Sequence, residues 1–244
     1  MQETKSVKMI FIIGTGRSGT NWLGNILGDH NDIRVTIENP KIFHLVTKMA
    51  MEPSTRSDLM PKLIHQYNKE LAKTKVDFYT DKSHPNIWLA EALSNVYTDS
   101  VFIGIRRNPY ATIASMIAHK GVMKWQENWI QFPHPNEFLG TNIINVEQYT
   151  DMSAPERAAC RWLSHSRKLE LLKRNLGNRF LLVQYEDLIL NTETELRKLE
   201  NFIGLKTKIP SPTPKNESLD RWKKLLDRDV CETIKKITGV NYDI

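Results

Sequence analysis

A strand, a glycine-rich turn and a helix follow one another near the start of the chain, and this unit constrains the fold more than any other segment. Val7–Ile13 is a short apolar run rich in branched residues, which is typical of a strand buried in a parallel sheet. The turn over Gly14–Asn21 reads GTGRSGTN, and Asn21–Leu27 then places apolar residues at helical spacing. A strand that leads through such a turn into a helix indicates an α/β domain.

The same alternation continues along the chain. Further strands are predicted over Ile33–Ile37, Val101–Ile105 and Phe180–Val183. Helical patterns cover other segments: Lys41–Met51, Leu59–Lys73, Pro85–Val96, Pro109–His119, Pro155–Asn175 and Glu193–Ile203. The prediction is therefore one α/β domain over residues 1–244, with a mostly parallel central sheet and helices on both faces.

Two segments break this alternation. Residues 121–153 show no clean period but hold several aromatic side chains, including Trp125 and Trp129. We expect a lid or one wall of a ligand site there, with packing in the core as the alternative. Residues 206–244 begin with a proline-rich connector and are expected to end in a pair of helices.

The composition excludes several classes of protein. With 40% hydrophobic and 25% charged residues the chain is neither disordered nor collagen-like, and Cys160 and Cys231 are too few for a disulfide scaffold. Few cysteines favour a reducing compartment, and no apolar run is long enough for a membrane span, so we expect a cytoplasmic protein without a membrane anchor. The 34 basic residues are interleaved with 28 acidic ones, a modest surplus that also suits a small polyanionic ligand, but charge alone does not decide between such a ligand and nucleic acid. We expect no nucleic-acid partner.

The glycine-rich turn has the features of an anion site. Glycines let the backbone approach a ligand closely, and the amide groups at a helix start point toward it. Arg17 adds a positive charge, and Ser18 and Thr20 add hydroxyl donors. We therefore expect this turn to bind a phosphate or sulfate group.

Three kinds of ligand match part of the pattern. Gly14, Gly16 and Gly19 fit the dinucleotide fingerprint, and Glu38 follows Gly19 by 19 residues, which keeps an NAD(P)-dependent oxidoreductase open. A magnesium-dependent NTPase is disfavoured, because threonine and asparagine occupy the positions of the Walker lysine and its neighbouring hydroxyl residue. The third candidate is a phosphate ester bound without a metal ion.

Arg107 and Ser115 indicate a second phosphate site. Arg107 follows the strand over Val101–Ile105, and Pro109 starts a helix in which Ser115 lies about two turns along. An arginine and a hydroxyl that converge in this way suit a phosphate. The alternative is that Arg107 pairs with an acidic neighbour and Ser115 only packs.

Together, the turn and this pair resemble the PAPS-dependent sulfotransferases, from about Lys8 to Leu205 with residues 121–153 unmatched. The resemblance implies that Arg17-Ser18-Gly19-Thr20 forms a P-loop-like turn that binds the 5′-phosphosulfate of PAPS. It also implies that Arg107 and Ser115 bind the 3′-phosphate. Residues 121–153 would then form the acceptor-binding lid.

The resemblance implies further contacts with PAPS. Trp22 stacks on the adenine, and Tyr185, within Gln184–Leu188, lies against it. Asn21 stands where a second threonine is usual, and is included among the positions that bind PAPS. The basic cluster Arg221–Lys224 is expected near the 3′ end of the nucleotide.

The catalytic residues that the resemblance implies are Lys82, His84 and Glu38. Lys82 contacts the transferring group and stabilises charge on the bridging oxygen. The base is either His84, as in cytosolic members that act on phenols and alcohols, or Glu38, as in tyrosyl-protein and heparan-type members. An imidazole is poised near neutral pH, whereas a carboxylate needs a raised pKa or a well-aligned hydrogen bond. Both remain open at this point.

The chain is accordingly predicted to move a sulfuryl group from PAPS to the hydroxyl of an alcohol, phenol, sugar or tyrosyl acceptor by in-line transfer, releasing adenosine 3′,5′-bisphosphate. No metal is predicted, because the other histidines and the cysteines lack ligand spacing. An NAD(P)-dependent oxidoreductase leaves Arg107 and Ser115 unexplained, and a non-catalytic nucleotide-binding module leaves Lys82 and His84 unexplained. The acceptor and the oligomeric state are not predicted.

Overall fold

Five strands form one sheet among the residues that the computed structural model describes, 7–213 and 215–241. The strands are β1 (Lys8–Gly14), β2 (Ile33–Ile37), β3 (Phe78–Lys82), β4 (Val101–Arg106) and β5 (Phe180–Gln184). Their order across the sheet is β2-β3-β1-β4-β5, and all neighbouring strands are parallel.

Helices connect the strands and cover the sheet. Their bounds are α1 (Thr20–Gly28), α2 (Pro40–Met51), α3 (Arg56–Lys73), α4 (Ala90–Val96), α5 (Pro109–Ile117), α6 (Lys120–Glu127), α7 (Ala154–Leu176), α8 (Tyr185–Leu190), α9 (Thr192–Ile203), α10 (Glu217–Asp220) and α11 (Arg228–Thr238).

Strand β1 is buried on both faces because helices lie on each side of it. Successive side chains of a strand point to opposite faces. Phe11 and Ile13 pack in a core with α2, α3, α4 and α7, whereas Ile10 and Ile12 pack in a second core with α1, α8 and α9. This two-sided burial explains the uninterrupted apolar sequence of β1. The predicted α/β class, with a parallel sheet and helices on both faces, is confirmed.

The sequence pattern does not predict β3, although this strand pairs with both β1 and β2. Its sequence, FYTDK, lacks the apolar run of a buried parallel strand, yet Thr80, Asp81 and Lys82 are all buried. The helix predicted from Pro85 also differs from the structure. It begins as a 3₁₀ turn over His84–Trp88, and α4 follows from Ala90.

Residues 121–153 are more ordered than their irregular sequence indicates. They contain most of α6 and 3₁₀ turns over Trp129–Gln131 and Gln148–Thr150. Trp129, Phe138 and Tyr149 are buried in the main core, as the alternative interpretation of this segment expects.

The C-terminal segment contains helices among its described residues. After the proline-rich connector, in which Pro214 lies outside the described residues, α10, a 3₁₀ turn over Arg221–Lys224 and α11 follow. Trp222 anchors this segment through its ring contact with Tyr110, at 4.9 Å between centroids. Within residues 7–213 and 215–241, no helix combines the length and apolar character needed to cross a bilayer.

Gly104, in the middle of β4, provides a test of the packing between the sheet and α7. A Cβ at this position would lie 2.5 Å from Phe180 Cζ and 2.8 Å from Leu169 Cδ2. We expect Gly104→Ala to lower the free energy of unfolding by about 1–3 kcal/mol through overpacking, measured by urea denaturation. Gly28→Ala is the matched control, because its Cβ would meet nothing closer than Val35 at 3.5 Å. An equal loss in both variants would contradict this account.

Candidate active site

The carboxyl ends of the parallel strands meet at one edge of the sheet, and a predicted site residue lies at the end of each described strand. These residues are Arg17 after β1, Glu38 after β2, Lys82 at the end of β3, Arg107 after β4 and Tyr185 after β5. Ligands of open parallel sheets bind at this edge, where the strand order reverses direction. A cleft of about 590 Å³ opens there.

The cleft brings together almost all of the predicted site residues. Those that line it are Arg17, Gly19, Thr20, Asn21, Trp22, Glu38, Lys82, His84, Arg107, Ser115 and Tyr185. Ser18 is the exception. It is buried, and its hydroxyl donates to the Thr15 carbonyl oxygen at 2.6 Å. The Ser18 side chain therefore closes the turn from within.

The glycine-rich turn presents the start of α1 to the cleft. Gly19 is the residue before α1 and has a φ of 96°, a left-handed conformation that favours glycine. A Cβ there would lie 2.3 Å from Tyr185 Cδ2, so a larger residue would also displace the tyrosine ring. The amides of the first turn of α1 lack intrahelical acceptors and lie at the positive end of the helix dipole. This arrangement can bind an anion.

The second predicted phosphate site contacts the first. Arg17 Nε donates to Ser115 Oγ at 3.1 Å, and Arg107 Nη1 donates to the Arg17 carbonyl oxygen at 3.4 Å. Arg107 Nη2 donates to the Ser218 carbonyl oxygen at 2.5 Å, a contact that the sequence did not predict. Arg107 Nε is buried and has no hydrogen-bond partner among the described residues. Arg17 therefore contacts both Arg107 and Ser115.

Aromatic rings flank these arginines. The Arg107 guanidinium lies 4.4 Å from the centroid of the Tyr185 ring, which meets the Trp22 ring edge-on at 5.5 Å. Lys215 Nζ lies 5.6 Å from the Trp22 centroid, and the Tyr185 hydroxyl is 2.8 Å from Ser218 Oγ. Aromatic faces beside cationic groups suit a planar, negatively charged ligand such as a nucleotide.

Lys82, Glu38 and His84 form a charged cluster on the opposite side of the turn from α5. Lys82 Nζ donates to Glu38 Oε1, and His84 Nδ1 lies 3.5 Å from the same oxygen. The Lys82 side chain is 2% exposed, against 35% for Glu38. His84 is buried, and neither of its ring nitrogens has a close hydrogen-bond partner among the described residues. The cluster thus joins the candidate catalytic lysine to both candidate bases.

Lys82 is buried and pairs with Glu38 rather than with its neighbour Asp81. Adjacent strand residues point to opposite faces. Asp81 accepts hydrogen bonds from Tyr67 at 3.1 Å and Asn86 at 2.9 Å, on the face away from Glu38.

The cluster sets distinct protonation states for the two candidate bases. Contact with His84, followed by the hydrogen bond from Lys82, lowers the pKa of Glu38 to about 2 against the opposing effect of burial. Burial lowers the pKa of His84 to about 4, and it also lowers the pKa of Lys82. At neutral pH, Glu38 is a carboxylate and His84 is a neutral imidazole that can accept a proton.

Backbone strain is concentrated at this cleft. Among the described residues, the non-glycine residues with positive φ are Arg17, at 76°, and Glu38, at 50°. Such conformations cost about 1–3 kcal/mol each and persist where the surrounding structure enforces them, often at functional sites. Both residues line the cleft.

Several residues that line the cleft were not predicted from the sequence. They are Phe43, His119 and Lys215, whereas Val122 and Lys124 belong to residues 121–153, which were expected to form a lid or one wall of a ligand site. Of the two candidate tryptophans in residues 121–153, Trp125 lines the cleft and Trp129 lies in the core. The basic cluster Arg221–Lys224 does not line it, and Lys215 is the basic residue that the C-terminal segment contributes. No local motif marks these positions, because they reach the cleft only through the packing of α2, α6 and the connector.

Other cavities lack these features. A groove of about 690 Å³ between α2 and α3 is lined largely by apolar carbon and contains none of the predicted residues. The described ranges, 7–213 and 215–241, hold no cluster of three or more His, Cys, Asp or Glu side chains arranged to bind a metal ion.

Comparisons with known proteins identify the family and similar folds. The model of the Sulfotransferase family matches residues 9–208. The structure is similar to the sulfotransferase domain from the curacin biosynthetic pathway, at 14% identity over 97% of this chain and 98% of that one, with a TM-score of 0.63. It is also similar to the sulfotransferase domain of the Synechococcus PCC 7002 olefin synthase, at 16% identity over 100% and 98% of the two chains, with a TM-score of 0.57. For a sulfotransferase from Alicyclobacillus acidocaldarius, the identity is 13% over 96% of each chain and the TM-score is 0.54.

No curated protein sequence matches the chain significantly. At these low identities the structural similarities support the fold, and the family model supports the family.

Asp81→Asn tests how strongly the strand beside the site buries its carboxyl group. Burial raises the pKa of Asp81 to about 7, against hydrogen bonds that oppose the rise. The folded chain then keeps the Asp81 carboxyl protonated up to about pH 7, whereas the unfolded chain ionises it near pH 3.9. The protonated carboxyl therefore stabilises the folded state at low pH, and this contribution to the free energy of unfolding is lost as the pH rises through 7. We expect the free energy of unfolding of the wild type to fall relative to that of the variant between about pH 4 and 8, measured by urea denaturation. A difference that does not change with pH would contradict the raised pKa.

Proposed function

The chain belongs to the sulfotransferase family, and we propose that it transfers a sulfuryl group from PAPS to a hydroxyl acceptor and releases adenosine 3′,5′-bisphosphate. The observation that carries the proposal is that the glycine-rich turn and the Arg107–Ser115 pair line one cleft together with Lys82, Glu38 and His84. Family membership supports sulfuryl transfer as the reaction class. The donor, the acceptor class and the residue roles are part of the proposal.

The residues of the cleft fit the charges of PAPS. Arg17, Thr20 and the amides at the start of α1 would bind the 5′-phosphosulfate. Arg107 and Ser115 would bind the 3′-phosphate, for which the buried and unpartnered Arg107 Nε provides a free donor. The rings of Trp22 and Tyr185 would hold the adenine.

The dinucleotide alternative is less well supported. In a dinucleotide-binding site, Glu38 would be the acidic residue that accepts hydrogen bonds from the ribose. In the structure, however, the Glu38 carboxylate accepts a hydrogen bond from Lys82. An oxidoreductase also gives no role to the Arg107–Ser115 pair. The non-catalytic module leaves the buried ion pair between Lys82 and Glu38 without a purpose.

In the proposed reaction, the acceptor oxygen forms a bond to sulfur while the bond from sulfur to the bridging phosphate oxygen breaks. Lys82 donates to the bridging oxygen and stabilises the charge that develops there. The acceptor proton passes to the neutral His84, and Glu38, 3.5 Å from His84 Nδ1, stabilises the imidazolium that forms. When Lys82 turns to the donor, Glu38 is released to make this contact.

A thermal-shift comparison tests the donor. At about 100 times its Kd, a ligand stabilises the folded state by roughly 2.7 kcal/mol, which corresponds to several degrees in Tm for a chain of this size. We expect a shift with adenosine 3′,5′-bisphosphate and none with NAD⁺, NADP⁺ or magnesium ATP. Arg107→Ala should abolish the shift. Arg106→Ala is the matched control, because Arg106 pairs with Glu170 outside the cleft. A shift with NAD⁺ or NADP⁺ alone would overturn the proposal.

Two variants separate the candidate bases. With radiolabelled PAPS and the best acceptor from a panel of phenols, alcohols and sugars, we expect His84→Ala to lower kcat by about 10²–10⁴. Glu38→Gln should retain more activity, because it removes only the partner of the imidazolium. The acid limb of kcat/KM in the wild type should lie near the pKa of His84, about 4. The opposite ranking, with Glu38→Gln the more damaging change, would assign the base to Glu38.

A further inference from the structure

Arg161, in the middle of α7, is a buried cation without a partner. The residue has no exposed surface. All three nitrogens of its guanidinium lack hydrogen-bond partners among the described residues, and no carboxylate within residues 7–213 and 215–241 forms an ion pair with it. Burial lowers its pKa only to about 10, so the group is charged at neutral pH.

The guanidinium lies behind one wall of the cleft. Its central carbon is 4.5 Å from the centroid of the Phe138 ring and 5.4 Å from that of Trp125. Trp125 lines the cleft, and the Phe138 ring stacks against the His84 ring at 6.5 Å between centroids. One aromatic ring therefore separates the Arg161 charge from His84, and another separates it from the cleft.

This position is costly for the folded state. Burial of an unpaired ion remains unfavourable even after relaxation, and cation–π contacts recover only part of that cost. A leucine or methionine would fill the same space without this cost. Unsatisfied buried groups in native proteins call for a specific explanation, and a ligand that completes the hydrogen bonding is one.

We propose that Arg161 determines acceptor specificity by binding a carboxylate of the acceptor, whose hydroxyl lies at His84. That the ligand is an acceptor with a hydroxyl group depends on the function proposed above, whereas the inference of a carboxylate site depends on Arg161. The planar guanidinium fork matches a carboxylate with two parallel hydrogen bonds. One negative charge also neutralises the one positive charge among apolar rings, whereas a dianionic phosphate would leave a buried net charge.

Neighbouring groups are consistent with an anion at this position. His165 Nδ1 lies 2.8 Å from the Arg161 carbonyl oxygen and so donates to it, and the ring meets Phe138 edge-on at 5.6 Å. Burial keeps the pKa of His165 well below its usual range, so this ring adds no second cation. The Arg161 guanidinium is then the single charge for the carboxylate to neutralise.

Access to Arg161 requires movement of Trp125. This residue is half-buried on α6, a helix of two turns between the cleft and α7. A rotation of the indole, or a shift of α6, would open the cleft to the guanidinium. The acceptor is then a hydroxy acid whose hydroxyl and carboxylate are separated by about the width of an aromatic ring.

Calorimetric measurement of ligand binding to the full chain, saturated with adenosine 3′,5′-bisphosphate, tests the proposed carboxylate site without any turnover. The probes are 4-hydroxybenzoate, 4-hydroxyphenylacetate and 3-hydroxybutyrate, each beside its primary amide. We expect at least one acid to bind the wild type about tenfold or more tightly than its amide, the effect of a hydrogen-bonded charge. Arg161→Met should abolish this preference. The matched control, Arg167→Met, removes an exposed arginine of the same helix and should retain it.

The stability of the variants completes the test. Because Arg161→Met removes an unpaired buried charge, its Tm should equal or exceed that of the wild type. If that variant does not fold, the role of Arg161 is structural and the proposal is wrong. Equal binding of every acid and its amide by the wild type would also overturn it, as would a preference that survives in Arg161→Met. A preference for acids without any sulfuryl transfer would contradict the proposed reaction and leave the carboxylate site intact.

Discussion

Parallel pairing of β1 with both β3 and β4 is the constraint on which the rest of the site depends. In this register, Ile12 pairs with Lys82 on one side and Gly14 pairs with Ile105 on the other. The glycine-rich turn after β1 therefore lies between the end of β3 and the end of β4. Because parallel strands share one carboxyl edge, groups from five separate parts of the chain meet there. An antiparallel β3 or β4 would carry its residues to the opposite edge.

The site concentrates buried charge at a cost to stability. Lys82 and Arg161 are withdrawn from water and Arg107 is half-buried, and Glu38 is the one carboxylate in close contact with any of them among the described residues. Desolvation of ions is unfavourable unless partners replace the water. An excess of positive charge of this kind suits a polyanionic ligand, which would supply the missing counter-charges. The overall charge of +6 fits the same purpose, although it does not locate the site.

Local signals made much of the fold and of the site predictable. The turn after β1 and the Arg107–Ser115 pair are short segments whose chemistry depends on neighbouring residues, and both line the cleft. β3 could not be predicted, because its polar side chains are buried by partners distant in sequence, such as Tyr67 for Asp81. Residues 121–153 likewise show no regular spacing of apolar residues, because some of their aromatic side chains lie in the core and others line the cleft. The role of Ser18 depends on a carbonyl within the turn, which its residue type does not reveal.

The sequence by itself determined the alternating α/β class, the glycine-rich turn between a strand and a helix, and the kinds of charged groups that the chain carries. These follow from periodicity and from chemistry within a few residues. Only the tertiary structure decided which charges are paired. Strand alternation turns Lys82 away from the adjacent Asp81 and toward Glu38, 44 positions earlier in the chain. Helix packing likewise leaves Arg161 against Trp125 with no hydrogen-bond partner in the part of the chain that the structure describes. Such pairings depend on contacts between distant segments, and a pattern of near neighbours contains no information about them.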